Sequence, residues 1–410
     1  MGEADPAVEP VSQPSIAVLT PHFTPETNAA SNRLTALVDT LVVDGWSVTV
    51  VTLAPNHPEY RIYAGYGTAP RVASAERGAT IVRYRPWLPA RRGLATRLLA
   101  ETLFALRALF EVLRRRPSMV LATSPFMFLG PVAWAAARLT RARFAWDVRD
   151  LTWQYLAATG RRTFGLDTLL DRLMRFTAAR ADVLTTATHG QLAHFTRRPP
   201  RSETVVNGLA RERFDALATR PLSRPSSARK PRVTYAGLIG YPQGLGVALD
   251  VAERLRDVEF VLAGDGPDRA RLEAEARRRS LDNVRFDGHL ALPDLAELYS
   301  ASDVLFAHLR DHPAFRLAQP SKLWEYMATG RPVVYGGADE ASRLIEEHGL
   351  GVACAPDDAS SLASTVARVL EDQDLREQLV NRALDYVREN RDREKLTRRW
   401  AALLGEALGT

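Results

Sequence analysis

The sequence predicts an α/β protein of two doubly wound halves, and three observations carry that prediction. Short apolar runs such as IAVLT, SVTVVTL and VVY recur along the 410 residues, separated by stretches of helical period. Runs and helices alternate rather than cluster, the order that builds parallel sheets. Midway, the segment 220–232 (RPLSRPSSARKPR) breaks the series with the composition of a linker.

In the first half, a strand at Ile16 to Thr20 leads through a polar loop (PHFTPETNAASN) to a helix from about Arg33 to Asp44, and then to a strand at Ser47 to Leu53. The loop is small at Asn28, Ala29 and Ala30, where backbone can approach a ligand, but it lacks the glycines of a dinucleotide fingerprint. Residues 55–78 read as a long loop. Strands follow at Thr80 to Tyr84, Met119 to Thr123, Phe144 to Val148, Asp182 to Thr186 and Glu203 to Val206, the last edged by Asn207 and Gly208. Helices are expected at 93–116, 127–139 and 166–179. The strand ending at Val148 delivers Arg149 and Asp150 beyond its carboxyl end, where open α/β sheets place their sites.

The second half repeats the pattern. Val233 to Ala236 leads into GLIGYPQG (237–244), Glu259 to Ala263 into GDGPD, Val284 to Phe286 into GHL, and Val304 to Ala307 into FRLAQPSKLWEYMATGRPVVYGG (315–337). In this last stretch Pro320 and Ser321 open a helix that Gly330 closes. Lys322 stands at its start, and it is one of only three lysines beside 51 arginines. A compact ammonium at a helix N-terminus is a phosphate site. The expected organisation is a flexible tail (1–14), a first Rossmann-like domain (15–215), a linker (216–231), a second Rossmann-like domain (232–390) and a last helix (391–410) packing across the domains, with a ligand cleft between them.

Composition narrows the function. With 46% hydrophobic residues the chain can bury a core, and one cysteine, Cys354, allows no intramolecular disulfide. No apolar run approaches a membrane span. The net charge of +6 is concentrated at 91–116, with seven arginines against two glutamates. Leu99, Leu103, Leu106, Leu109, Phe110 and Leu113 form an apolar face there, expected to be the core side, with Phe104 on the charged side. Arg91, Arg92, Phe104 and Arg114, Arg115 and Arg116 are the expected contacts to an anionic membrane surface. No metal is implied: Asp372 and Asp374 read as a solvated turn, and His22, His57 and His189 lack ligand spacing.

The order of PSKLWEYMATGRPVV, WDVRDL, AGDGPDRARLE, NVRFDGHL and the N-terminal TPE loop resembles glycosyltransferase family 4, which has the GT-B fold of two Rossmann-like domains facing a central cleft. The likeness covers nearly the whole chain. Its FR…PSK…EYMA…GRP run and Arg-Asp pair look most like the branch of bacterial fucosamine-type transferases of surface polysaccharide synthesis. The resemblance implies that Glu325 holds the ribose of a nucleotide-sugar donor. Ser321, Lys322 and the Leu323 backbone would hold the diphosphate, opposite Gly237, Gly240 and Gln243. Gly288, His289 and Leu290 would lie against the base, with Gly264 nearby. Arg149, Asp150 and Lys322 are the expected catalytic residues; Asn28, Ala29 and Asn207 face the acceptor.

Two departures concern the donor. Ala318 stands where the family carries a first glutamate, with Gln319 or Arg316 as substitutes, and Gln243 replaces a usual cation. The Arg149–Asp150 pair replaces the usual histidine on the acceptor side. The resemblance implies a retaining, metal-independent, cofactor-free sugar transfer in the cytoplasm to a lipid-linked or glycan acceptor, and the basic helix adds the expectation of a place peripheral to the membrane. The alternatives are an epimerase on the same fold and a natural-product glycosyltransferase with a small acceptor. A nucleic-acid-binding protein is disfavoured, because its basic residues would be spread and interleaved with aromatics.

Overall fold

The computed structural model describes residues 13–57, 60–67, 69–89, 93–154, 165–218 and 229–409. Arg91, Arg92, most of the tail and most of the expected linker lie outside the described residues.

The first half builds one sheet from β1 (Ser15–Leu19), β2 (Ser47–Leu53), β3 (Arg71–Glu76), β4 (Ala79–Tyr84), β5 (Met119–Thr123), β6 (Arg143–Val148), β7 (Val183–Thr186) and β8 (Arg201–Thr204). Their order is β3-β4-β2-β1-β5-β6-β7-β8, and all pairings are parallel except β3 with β4. The connecting helices are α1 (Ala29–Val43), α2 (Leu94–Arg115), α3 (Leu129–Thr140), α4 (Leu166–Ala178), α5 (His189–His194) and α6 (Arg211–Leu217). Strand period two decides which core each residue joins: in β1, Ala17 and Leu19 enter one side, Ile16 and Val18 the other. Strand β3 lies inside the stretch read as loop. Its sequence, RVASAE, carries no apolar alternation, and an edge strand needs none when a neighbour's Arg83 reaches Glu76 at 2.9 Å.

The second half is a six-stranded parallel sheet in the order β11-β10-β9-β12-β13-β14, from β9 (Arg232–Ala236), β10 (Glu259–Ala263), β11 (Val284–Asp287), β12 (Val304–His308), β13 (Val333–Gly336) and β14 (Val352–Cys354). Its helices are α7 (Gly246–Arg254), α8 (Arg269–Arg278), α9 (Leu292–Ser300), α10 (Lys322–Ala328), α11 (Glu340–His348), α12 (Ala359–Glu371) and α13 (Gln373–Asn390); α14 (Arg393–Leu408) follows. Helix α14 leaves this half. Asp392 caps it by accepting from Glu394 and Lys395 at 2.9 and 3.1 Å, and Trp400, Ala401, Leu404 and Ala407 then join Leu34, Leu37 and Leu41 of α1 in the first domain's core. At the crossing, Leu209 donates to the Arg391 carbonyl at 2.7 Å and accepts from Arg393 at 3.1 Å. A Cβ on Gly208 would lie 2.7 Å from the Arg393 Cα, so the crossing requires glycine there.

Helix α2 faces the opposite way from the sequence expectation. Phe104, expected on the charged surface, is fully buried against Phe126, with Ala105, Ala108 and Val112 beside it. Leu99, Leu106, Phe110 and Leu113, expected in the core, are exposed. The reason lies in two buried glutamates. Glu101 accepts from the Met127 amide at 2.8 Å, and Glu111 accepts from Arg71 at 2.6 Å, the Tyr84 hydroxyl at 2.8 Å and Arg115 at 3.2 Å. Burial raises the Glu111 pKa, but these donors outweigh it and hold it at about 2. A satisfied carboxylate can be buried, and each one turns its face of the helix inward. No described helix is long and apolar enough to cross a membrane.

Candidate active site

Helix α10 is fixed to the end of β9 by Tyr326, whose hydroxyl donates to the Ala236 carbonyl and accepts from its amide, both at 2.7 Å. This tie sets Ser321 and Lys322 at the mouth of the second sheet. The Ser321 hydroxyl makes no capping bond, and the Leu323 amide donates to the Pro320 carbonyl at 3.2 Å. Lys322 Nζ lies 3.9 Å from the centre of the Tyr235 ring and contacts its hydroxyl. Burial pulls the Lys322 pKa down to about 7, against the opposing pull of Glu325. Gly237, at φ +142°, leaves the room this needs, since a Cβ there would stand 2.6 Å from Lys322 Nζ. Glu325 ion-pairs with Arg213 of α6 at 3.1 Å.

Gly264 packs backbone to backbone with the 237–244 loop: a Cβ on it would lie 1.9 Å from the Gly237 carbonyl oxygen. Its amide also donates to the Gly288 carbonyl at 3.0 Å, so it joins the loops of three strands. Gly240 starts the short helical turn 241–243, and the Gln243 carbonyl pairs with the His308 ring at 2.7 Å. The Gln243 Oε1 is buried without a partner among the described residues, as are both side-chain polar atoms of Gln319. Neighbouring Ala318 packs against the apolar core. Arg316 is exposed and pairs with Asp311 at 3.0 Å. His289 is exposed, and Leu290 packs against the core of this half.

Across the cleft, Ser124 Oγ accepts from the amides of Arg149 at 2.8 Å and Asp150 at 3.2 Å, and Gln191 donates to the Arg149 carbonyl at 2.7 Å. The Arg149 guanidinium reaches Asn207 Oδ1 at 3.3 Å, while its Nε is buried without a partner among the described residues. Burial, joined by repulsion from Arg33, lowers the Arg149 pKa. Burial raises that of Asp150, partly offset by Arg149. Asn28 caps α1 by accepting from Ser31 at 2.9 Å. The preceding loop is tied by Glu26, which accepts from Asn56 and His57 amides at 2.8 and 2.9 Å and pairs with His22 at 2.6 Å. Among the described residues no group of three His, Cys, Asp or Glu is placed to hold a metal ion.

Three elements meet at a cavity of about 150 Å³. The first domain contributes Thr27, Ala29, Arg33 and Asn207, helix α10 contributes Ser321, Trp324 and Glu325, and α14 contributes Arg393 and Trp400. Of the expected site residues, Ser321, Glu325, Ala29 and Asn207 therefore share one wall. Arg149 is linked to it through Asn207, and Lys322 stands behind it on Tyr235. The remaining expected residues are not on the lining. A second contact closes the cleft: Glu340 of α11 accepts from the Gly190 amide at 2.9 Å and from His189 Nδ1 at 3.0 Å, and Thr188 donates to the Leu317 carbonyl at 3.0 Å.

Arg33 and Asp147 were not anticipated. They pair at 3.0 Å, Asp147 also accepts from Thr185 at 2.8 Å and Thr123 at 3.2 Å, and Arg33 stacks 4.3 Å from the Trp400 ring centre. A signal existed for both: an aspartate inside the apolar run FAWDV needs a buried partner, and Arg33 shares the helical face of Leu37 and Leu41.

The comparisons with known proteins follow this division. Residues 28–209 match the model described as "Glycosyl transferase 4-like domain", and residues 230–372 match "Glycosyl transferases group 1". The putative colanic acid biosynthesis glycosyl transferase WcaI of Escherichia coli is 26% identical over 85% of this chain and 90% of its own. A GDP-mannose-dependent alpha-mannosyltransferase of Mycobacterium tuberculosis is 28% identical over 82% of each. Among solved structures, a sucrose-phosphate synthase from Thermosynechococcus elongatus superposes with TM-score 0.75 at 17% identity over 97% of this chain and all of its own. Anabaena HepE in complex with UDP-glucose gives 0.69 at 17% identity over 96% and 99%. These neighbours share the GT-B fold.

Proposed function

The chain belongs to the family 4 glycosyltransferases, and on that premise we propose that it moves a sugar from a nucleotide donor to an envelope glycan or lipid-linked acceptor with retention of anomeric configuration, without a metal ion or other cofactor. The observation that carries the proposal is the cavity that Ser321 and Glu325 line together with Ala29, Arg33 and Asn207. Glu325 would accept from ribose hydroxyls, beside its pairing with Arg213. Ser321 and Lys322 would meet the diphosphate, and Gln319, whose polar atoms are buried and unpartnered among the described residues, would read donor-sugar hydroxyls in place of the carboxylate missing at Ala318. Gln243, also with an unpartnered buried oxygen, would contribute a neutral contact to the same end of the donor.

In the reaction, the acceptor hydroxyl attacks the anomeric carbon from the face that the phosphate leaves. The departing phosphate oxygen takes the acceptor proton, and Lys322 in its ammonium form stabilises the charge that develops on it. Asp150 and Arg149 would orient the acceptor, with Asn28, Ala29 and Asn207 at its edge. The role of WcaI in colanic acid synthesis supports a polysaccharide acceptor, and the FR…PSK…EYMA run supports placement near the fucosamine-type transferases. Such an enzyme works in the cytoplasm, at the inner face of the membrane. Melting the protein with a panel of UDP-, GDP- and dTDP-sugars tests the donor, because a ligand of the folded state raises the melting temperature. NMR of the product's anomeric proton tests retention, and activity after chelator treatment tests metal independence. A product still attached to nucleotide, formed without acceptor, would instead identify an epimerase.

A further inference from the structure

Helices α2, α3 and α4 form one layer over the same face of the first sheet, with Phe104, Ala133 and Met174 as their inward contributions. The outer side of that layer is unusually apolar. On α2, Leu99 is 58% exposed, Leu106 53%, Phe110 57% and Leu113 39%; on α4, Leu169 is 63% exposed and Phe176 42%. At 100° per residue the four α2 positions form one stripe along the helix, so on α2 they make an apolar face rather than scattered side chains, and such faces mark contact sites.

Charge identifies the occupant. Exposed arginines border the apolar residues: Arg114 and Arg116 at the end of α2, Arg138 at the end of α3, and Arg172 and Arg180 on and beyond α4. The acids of α2 are turned away, since Glu101 and Glu111 are buried, and Asp171 of α4 is held by Arg175 at 2.6 Å and His194 at 2.9 Å. A two-fold pairing of this surface with a second copy would bring arginines against arginines. An apolar stripe flanked by exposed arginines, of which Arg114 lies 3.6 Å from the buried Glu111 carboxylate, matches an anionic bilayer surface, where leucine and phenylalanine enter the acyl boundary and guanidinium groups remain among the phosphates.

We propose that the outer surface of α2 and α4, centred on Leu99, Leu106, Phe110 and Leu169, docks the first domain on an anionic membrane. The residues differ from those expected from sequence, because Phe104 is core and the expected core leucines are the contact. The inference rests on this surface and not on the donor chemistry, so it is tested without activity.

The test is co-sedimentation of the full chain with vesicles of phosphatidylglycerol and phosphatidylcholine, and with phosphatidylcholine alone. Wild type is expected to bind the mixed vesicles at low salt, to bind neutral vesicles at least about tenfold more weakly, and to be released by high salt. Leu106→Ser with Phe110→Ser should lower binding by at least about tenfold while the melting temperature stays within a few degrees, since both side chains are more than half exposed. Arg114→Glu with Arg172→Glu is the second variant and should weaken binding to the mixed vesicles alone. Failure of wild type to bind, or undiminished binding by both variants, would overturn the proposal. So would a wild-type dimer, by light scattering, that the Leu106→Ser, Phe110→Ser pair converts to monomer.

Discussion

Lys322 offers the sharpest quantitative test. Its ammonium sits on the Tyr235 ring, and Glu325 is the charge that favours its protonated form. With a pKa of about 7 in the unliganded protein, roughly nine-tenths of the molecules carry a neutral amine at pH 8. A diphosphate beside it raises the pKa, so donor binding at pH 8 must take up close to one proton per site. Affinity should therefore fall up to about tenfold for each pH unit above 7, until the pKa of the complex is reached. The same displacement acts on folding with a definite sign. The folded pKa lies below the unfolded value of 10.5, so between about 7 and 10.5 the unfolded chain binds more protons and stability rises with pH. The full displacement would cost about 5 kcal/mol below pH 7, which the partial exposure of the side chain reduces to about half. Lys322→Met removes this cost: it should melt higher than wild type at pH 6 and converge with it toward pH 10, while losing donor affinity. The assay is calorimetric titration of nucleotide diphosphate in two buffers of different ionisation enthalpy from pH 6 to 9. If affinity is flat over that range and no proton is taken up, the assignment of Lys322 to the diphosphate is wrong.

Other expectations follow from single contacts. Glu325→Ala should weaken nucleotide-sugar binding by about 10- to 100-fold, the worth of charge-assisted hydrogen bonds, with an unchanged circular dichroism spectrum; unaltered affinity would refute the ribose role. Asp147→Ala leaves Arg33 buried without its carboxylate and strands the Thr185 hydroxyl, while Thr123 keeps the Ser124 carbonyl, and urea titration should show a loss of about 3–5 kcal/mol. Gly264→Ala forces a Cβ to 1.9 Å from the Gly237 carbonyl oxygen at a φ of +128°, and should cost more than about 2 kcal/mol by the same titration. Gly246→Ala, in a helix with open space around the new methyl group, should instead stabilise by about 0.5–1 kcal/mol.

The alternation of apolar runs with helical segments was enough to read two parallel sheets, because strands buried on both faces are written as uninterrupted hydrophobic residues. Strand β3 carries no such run, so it was invisible until its pairing with β4 was known. The face of α2 was misread for a different physical reason. Amphipathic period identifies two faces but not which one turns inward, and here two carboxylates with partners 26 and 40 residues away decided it. At the candidate site the sequence picked out Ser321, Glu325, Ala29 and Asn207, which share a cavity wall. It missed Arg393 and Trp400 on the same wall, because nothing local in RDREKLTRRW says that this helix crosses to the other domain.

That crossing has a consequence for how the protein is made. The residues that complete one core of the first domain, from Trp400 to Ala407, are synthesised after the whole of the second sheet. The first sheet is synthesised before the second, yet α1 lacks the α14 cover over Leu34, Leu37 and Leu41 until α14 has emerged. The first domain must wait for α14, so the two halves gain their final stability together, and the nascent first domain is a stage at which the protein is exposed to aggregation.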